Sequence, residues 1–153
     1  MGRFATLELD DFPQRVSLMV LAAVSALLVD IVSKTIVVEV WPDVLLFNVS
    51  DRSPFGLGTS LILVAAASSV LACVLPVRLV AVGAGLALGG SLGNLTSRYR
   101  WDELGGSPDF IRFSDGSTGN VADLAIASGA AFMILSIAAW LFWTTFGPPR
   151  DDA

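Results

Sequence analysis

A chain of 153 residues that is 54% hydrophobic, only 15% charged and of mean hydropathy +0.74 is too apolar for an ordinary soluble domain, which is about one-quarter charged. A net charge of −5 with no basic run speaks against nucleic acid as a partner. Histidine is absent and Cys73 is the single cysteine, so His-based triads, imidazole proton shuttles, an internal disulfide and His or thiolate metal sites are excluded. No metal and no cofactor is expected.

The length predicts one membrane domain, 1–153. A bilayer core of about 30 Å asks for roughly 20 apolar residues per helix, and four stretches qualify. The first, "VSLMVLAAVSALLVDIVSKTIVV" (16–38), is apolar apart from Asp30 and Lys34. Its leading segment carries Glu8, Asp10 and Asp11 against Arg3 and Arg15, which is not the positive n-region of a signal peptide, so an uncleaved helix is expected. A polar interlude, 39–56, follows with Trp41, Pro42 and "FNVSDRSPFG". The second span, 57–75, closes at Pro76 and Arg78. "VLAC" ending at Cys73 imitates a lipoprotein acylation box, but it lies mid-chain inside this span and reads as membrane sequence.

The third span, 78–95, follows a very short turn and forms a hairpin with the second. Gly85, Gly89 and Gly93 recur every fourth residue along it, a stripe that lets helix backbones approach closely. A second interlude, 97–120, is rich in Gly, Ser and Asp. The fourth span, 121–146, ends in "GPP", with Trp140 and Trp143 near an interface. Four spans put both interludes on one side and both termini on the other. The arginines do not say which side is which, since each side holds four: Arg3, Arg15, Arg78 and Arg150 against Arg52, Arg98, Arg100 and Arg112.

Ionisable groups inside a span cost about 2.5–3.5 kcal/mol each and tend to have partners or a function. Asp30 and Lys34 stand four apart on one helix face, as a self-neutralising pair or a substrate-facing one. Asn94 and Arg98 share the same spacing, and Arg98 alone could simply reach the headgroups. In "GNVADLAI", Asn120 is a good N-cap and Asp123 suits the first turn, so capping alone would explain both. Chemistry needs a second carboxylate, for which Asp109 is the first candidate and Asp115 the next. Two carboxylates held close cannot both ionise cheaply; the pair can then act as general base on water and general acid on a leaving amine. A Ser97/Lys34 dyad has no local support.

Taken in order, "DIVSK" (30–34), "FNVSDRSPFG" (47–56), "GGSLGNLTSR" (89–98), "PDFI" (108–111) and "NVAD" (120–123) resemble the motifs of lipoprotein signal peptidase (signal peptidase II), across about residues 16 to 146. The resemblance implies an all-α integral membrane protein of the bacterial inner membrane, with four transmembrane helices, a small periplasmic sheet-like cradle and both termini cytoplasmic. It implies an aspartic endopeptidase that removes the signal peptide from diacylglyceryl-modified prolipoproteins, with membrane lipids as surroundings. Asp109 and Asp123 fall on the catalytic pair; Asp30, Lys34, Asn48, Asn94, Arg98 and Asn120 fall on supporting, substrate-side positions. The chain departs from the family pattern in the shortened link from Asp109 to Asp123 and in three motifs. Ser97 stands where an Asp is usual, the second motif lacks its Gly, and Gly119 replaces an aromatic. A divergent enzyme and a catalytically impaired paralogue, acting as a membrane binding or scaffold subunit with a membrane-protein partner, are the two readings left open. An ion-conducting bundle ranks below both.

Overall fold

The computed structural model describes residues 11–48, 63, 65–67, 69, 70, 72, 75, 77–104 and 106–147, and for residues 47, 48 and 104 it describes the backbone alone. Among the described residues, three helices are long and apolar enough to cross a membrane. Helix α1, Phe12–Val40, opens with Pro13 in its first turn, where a missing N–H costs nothing, and closes when Trp41 N–H bonds Val37 O at 3.0 Å. Helix α2 is Arg78–Arg100 and helix α3 is Val121–Phe146. Most of the second expected span lies outside the described residues, as do Cys73 and the stretch 49–56. The described residues Leu63, Ala65, Ala66, Ala67, Ser69, Val70 and Ala72 are helical.

Helix α2 runs one turn further than its apolar stretch predicts, to Arg100 instead of 95. Hydropathy reports where lipid ends, and a helix can continue past that point. Arg98 and Arg100 suit this last turn because its free carbonyls carry partial negative charge.

The packing is inside-out. Leu21, Leu28, Ile134, Leu135 and Phe142 are exposed on the outer faces of α1 and α3, whereas Asp30, Lys34, Ser97, Asp109 and Asn120 are fully buried. Exposed apolar faces of this extent suit contact with hydrocarbon. Helix α2 is the middle element: 56% of its most apolar stretch is buried inside the protein, against 17% for α1 and α3.

Glycine makes this close packing feasible. A Cβ at Gly85 or Gly89 would strike the backbone oxygens of Met19 and Ala23 in α1. A second glycine face, unremarked in the sequence, meets α3: a Cβ at Gly83 would lie 2.7 Å from Gly129 O, and one at Gly90 would lie 2.5 Å from Ala122 O. The small core of Ala72, Val80, Ala81 and Ala84 sits among these contacts, with Met19, Met133 and Ile137 packed against it.

Between the helices, β1 (Leu46–Asn48) pairs antiparallel with β2 (Ser107–Asp109), matching Leu46 with Asp109 and Asn48 with Ser107. Strands β3 (Ile111–Arg112) and β4 (Thr118–Gly119) form a hairpin. Phe110 N–H continues it, donating to Gly119 O at 3.0 Å. This small sheet structure sits over the buried polar residues, and its two pairs begin and end beside Asp109 and Asn120.

Candidate active site

Lys34 is the hub of the buried polar cluster. Its ammonium donates to Asp30 Oδ2 at 2.8 Å, Asn94 Oδ1 at 2.9 Å and Ser97 Oγ at 3.0 Å. An ammonium has three donors and no acceptor, so its capacity is filled. Both Asp30 and Lys34 have side chains wholly out of solvent. Ser97 in turn donates to Gly93 O at 2.7 Å, so its hydroxyl is held in place as the lysine's third acceptor. Gly93 has no side chain for a direct reason: a Cβ there would lie 2.5 Å from Asp30 Oδ2.

Asp30 has a second task. Its Oδ1 accepts the Ala122 N–H at 2.8 Å, from a residue 92 positions away. The first amides of a helix have no partner within it, so a carboxylate from α1 caps α3. Asp123 and Asn120 supply the rest as a capping box. Asn120 N–H donates to Asp123 Oδ2 at 2.9 Å, and Asp123 N–H donates to Asn120 Oδ1 at 3.3 Å.

From this head of α3 the cluster reaches both candidate acids. Asn94 Nδ2 donates to Asp123 Oδ1 at 2.8 Å, and Asn120 Nδ2 donates to Asp109 Oδ1 at 2.7 Å. Asn120 thus holds Asp109 by its side chain and Asp123 by its backbone. Asp109 is 1% exposed, and Thr118 Oγ1 lies 3.4 Å from its Oδ2. Capping accounts for Asn120 and Asp123 but not for the short bond from Asn120 to Asp109.

Four residues here have roles the sequence did not signal. Ser107 donates to Asn94 Oδ1 at 3.3 Å and lies 3.5 Å from Asn120 Nδ2; it stands just before "PDFI", which was the available cue. Gly93, Thr118 and the Ala122 amide touch the cluster through contacts that only the fold creates.

The second candidate acid lies elsewhere. Asp115 is exposed in the β3–β4 turn, accepting the Ser117 hydroxyl at 2.7 Å and the Ser117 N–H at 2.9 Å. Those two bonds hold its carboxyl below the usual carboxylate range. It shapes a turn and does not join the cluster. Among the described residues no hydrogen bond joins Arg98 to the cluster either, and its Nε is buried without a partner there. The backbone of Asn48 pairs with Ser107 beside the cluster, while its side chain lies outside the described residues.

An apolar groove of about 520 Å³ runs between α1 and α3 over α2, lined by Ala26, Val29, Leu86, Val121, Leu124 and Ser128 among others. Val121, Leu124, Ala125 and Ser128 line it from one face of α3. Among the described residues no group of three His, Cys, Asp or Glu side chains is arranged to hold a metal ion.

Fold and cluster together define a helical membrane protein with buried, paired polar groups at the head of one helix. The family described as Signal peptidase (SPase) II matches residues 22–139, and the chain belongs to that family. No curated protein matches the chain. A solved structure of a bacterial membrane enzyme, determined by the in meso method at 2.3 Å resolution, is similar at a TM-score of 0.58 and 22% identity. The match covers 88% of this chain and 93% of that one, and it bears on the fold. Family membership supports a lipoprotein signal peptidase-like function in a membrane setting.

Proposed function

We propose that this chain is a membrane aspartic endopeptidase that removes signal peptides from diacylglyceryl-modified prolipoproteins, with Asp109 and Asp123 as the catalytic pair. The observation that carries the reading is the Asn120 bridge, 2.7 Å to Asp109 Oδ1 and 2.9 Å to Asp123 Oδ2. It fixes both carboxyl groups to one residue at the head of α3.

In the proposed reaction one carboxyl of the pair keeps a proton and the other is ionised. The ionised group takes a proton from water, whose oxygen attacks the scissile carbonyl carbon. The protonated carboxyl hydrogen-bonds the carbonyl oxygen as charge develops there. Collapse of the tetrahedral intermediate breaks the C–N bond, and the leaving amine takes the proton first drawn from water. Asn94 and Asn120 orient the acids; Asp30 and Lys34 hold Asn94 and the head of α3 without touching substrate. The apolar groove between α1 and α3, open on the lipid-facing side, takes the signal segment.

The same reading makes 1–153 one domain with four spans, the second within 57–75. It places the protein in the inner membrane of a bacterium, with both termini cytoplasmic and the strands and acids on the periplasmic side. Asn48 and Arg98 belong to the substrate side of this arrangement.

Ser97 favours the second reading, a catalytically impaired paralogue that binds substrate or a membrane-protein partner. A neutral hydroxyl supplies the lysine where the family usually has a carboxylate, so the cluster beside the acids is altered. Purified protein in lipid, mixed with a diacylated prolipopeptide and followed by mass detection of the released signal peptide, separates the two. Release supports the enzyme; retained lipopeptide binding without release, by folded protein, supports the paralogue.

A further inference from the structure

Asp109 and Asp123 are joined through a β-hairpin, and one aromatic side chain of that hairpin leans toward the second acid. Ile111 faces Gly119 across the β3–β4 pair. Phe113, two residues on, projects from the same face and lies diagonal to Gly119. Gly119 is buried and has no side chain to fill the space above it. A Cβ built there would lie 3.0 Å from Phe113 Cε2 and 3.0 Å from Asp123 Oδ2. Ring edge and carboxylate therefore flank one point, and no further side chain fits between them.

The backbone that carries the ring is fixed by the turn. Phe113 N–H donates to Ser117 O at 2.9 Å, and Gly116 N–H donates to Phe113 O at 3.1 Å. Gly116 takes a φ of 86°, a turn conformation that favours glycine, and Asp115 ties the far side of the turn to Ser117. Yet Phe113 remains 38% exposed, so part of the ring is open to an incoming chain.

Position decides what that chain segment is. Along α3 the apolar groove runs from Val121 to Ser128, on the apolar side of the helix start. The hairpin and Phe113 lie on the other side, beyond the helix start at Asn120. We propose that Phe113 is a substrate-contacting residue that limits the size of the residue immediately following the lipid-modified cysteine. This rests on the function proposed above: a signal segment in the groove sends the retained chain outward past this ring.

The test compares two diacylated prolipopeptides that differ only after the modified cysteine, one with Gly and one with Trp. Wild-type protein should prefer Gly by about tenfold or more in kcat/KM, the scale that a steric pocket wall supplies. Phe113→Ala should reduce the preference to within about threefold, and Phe113→Leu, which keeps bulk, should retain it. Phe113→Val gives the same reading if the alanine variant does not fold. Cleavage with the same preference in wild type and in the small-residue variants, or no preference in wild type, overturns this inference alone. No cleavage of either peptide by folded wild-type protein overturns the proposed function, and this inference with it.

Discussion

Lys34 Nζ lies 2.9 Å from Asn94 Oδ1, and that contact decides which way the Asn94 amide faces. A donor-only ammonium must meet the amide oxygen, which leaves the amide nitrogen to face Asp123 Oδ1 at 2.8 Å. A buried lysine thereby orients a candidate catalytic acid through one intervening side chain. Asp30, at 2.8 Å, balances its charge.

Asn94→Leu and Ser97→Ala should separate positioning from stability. Each removes one acceptor from buried Lys34 and should cost about 1–3 kcal/mol, measured by thermal unfolding in detergent. Only Asn94→Leu also removes a donor to Asp123. A hydrogen bond to a charged group contributes about 1.5–3 kcal/mol, so kcat should fall by roughly one to two decades in that variant and stay near wild type in Ser97→Ala. Equal losses of kcat in both variants would break the proposed relay.

Asp30→Ala takes the partner carboxylate from buried Lys34 and removes the cap on Ala122. Breaking a buried pair from one side costs about 3–5 kcal/mol. Lys34→Ala added to it should recover part of that loss and not all, because the cap stays absent. A double-mutant cycle with no coupling would mean that the two side chains stabilise the helices independently.

Gly93→Ala tests the close approach of α1 and α2. Its Cβ would lie 2.5 Å from Asp30 Oδ2, so the carboxylate must move from Lys34 or from Ala122. Overpacking of this kind costs about 1–3 kcal/mol. Activity should fall along with the melting temperature although residue 93 carries no functional group. An unchanged melting temperature would show that the helices separate easily here.

Much of this arrangement was legible in the sequence because it is local. The Asp30/Lys34 spacing, the Asn120 to Asp123 capping pattern and the stripe of Gly85, Gly89 and Gly93 all lie within one or two helical turns. What was not legible is what crosses the fold. Nothing near Asp30 announces that it caps an amide 92 residues on, and Gly83 and Gly90 acquire meaning only against α3. The short strands Leu46–Asn48 and Ser107–Asp109 carry too little pattern to reveal their pairing. Asp115 stands second to Asp109 in the sequence because a carboxylate that near looks like an alternative partner. Its bonds to Ser117 make it a turn residue instead.

The Asp115 turn also has a pH signature. Its carboxyl sits below the usual carboxylate range because Ser117 donates to the ionised form. That contribution to the hairpin is complete above the unfolded carboxylate range near about pH 4 and is lost as pH falls through the lower folded value. Exchange protection of the Ser117 amide should therefore hold from neutral pH down to about pH 4 and decline below it. Loss of protection well above that range would place the turn's stability elsewhere.

The most direct measurement is cleavage of a diacylated prolipopeptide by the Asp109→Asn variant. Asp109 is the better acid to test, since Asp123 also belongs to the α3 capping box and its replacement disturbs the helix start. An amide in place of the buried carboxyl keeps the shape but cannot hold or pass the shared proton. The account predicts cleaving wild-type protein and an Asp109→Asn variant that inserts, melts and binds lipopeptide as wild type does, yet releases no signal peptide. Release by Asp109→Asn at the wild-type rate would contradict it.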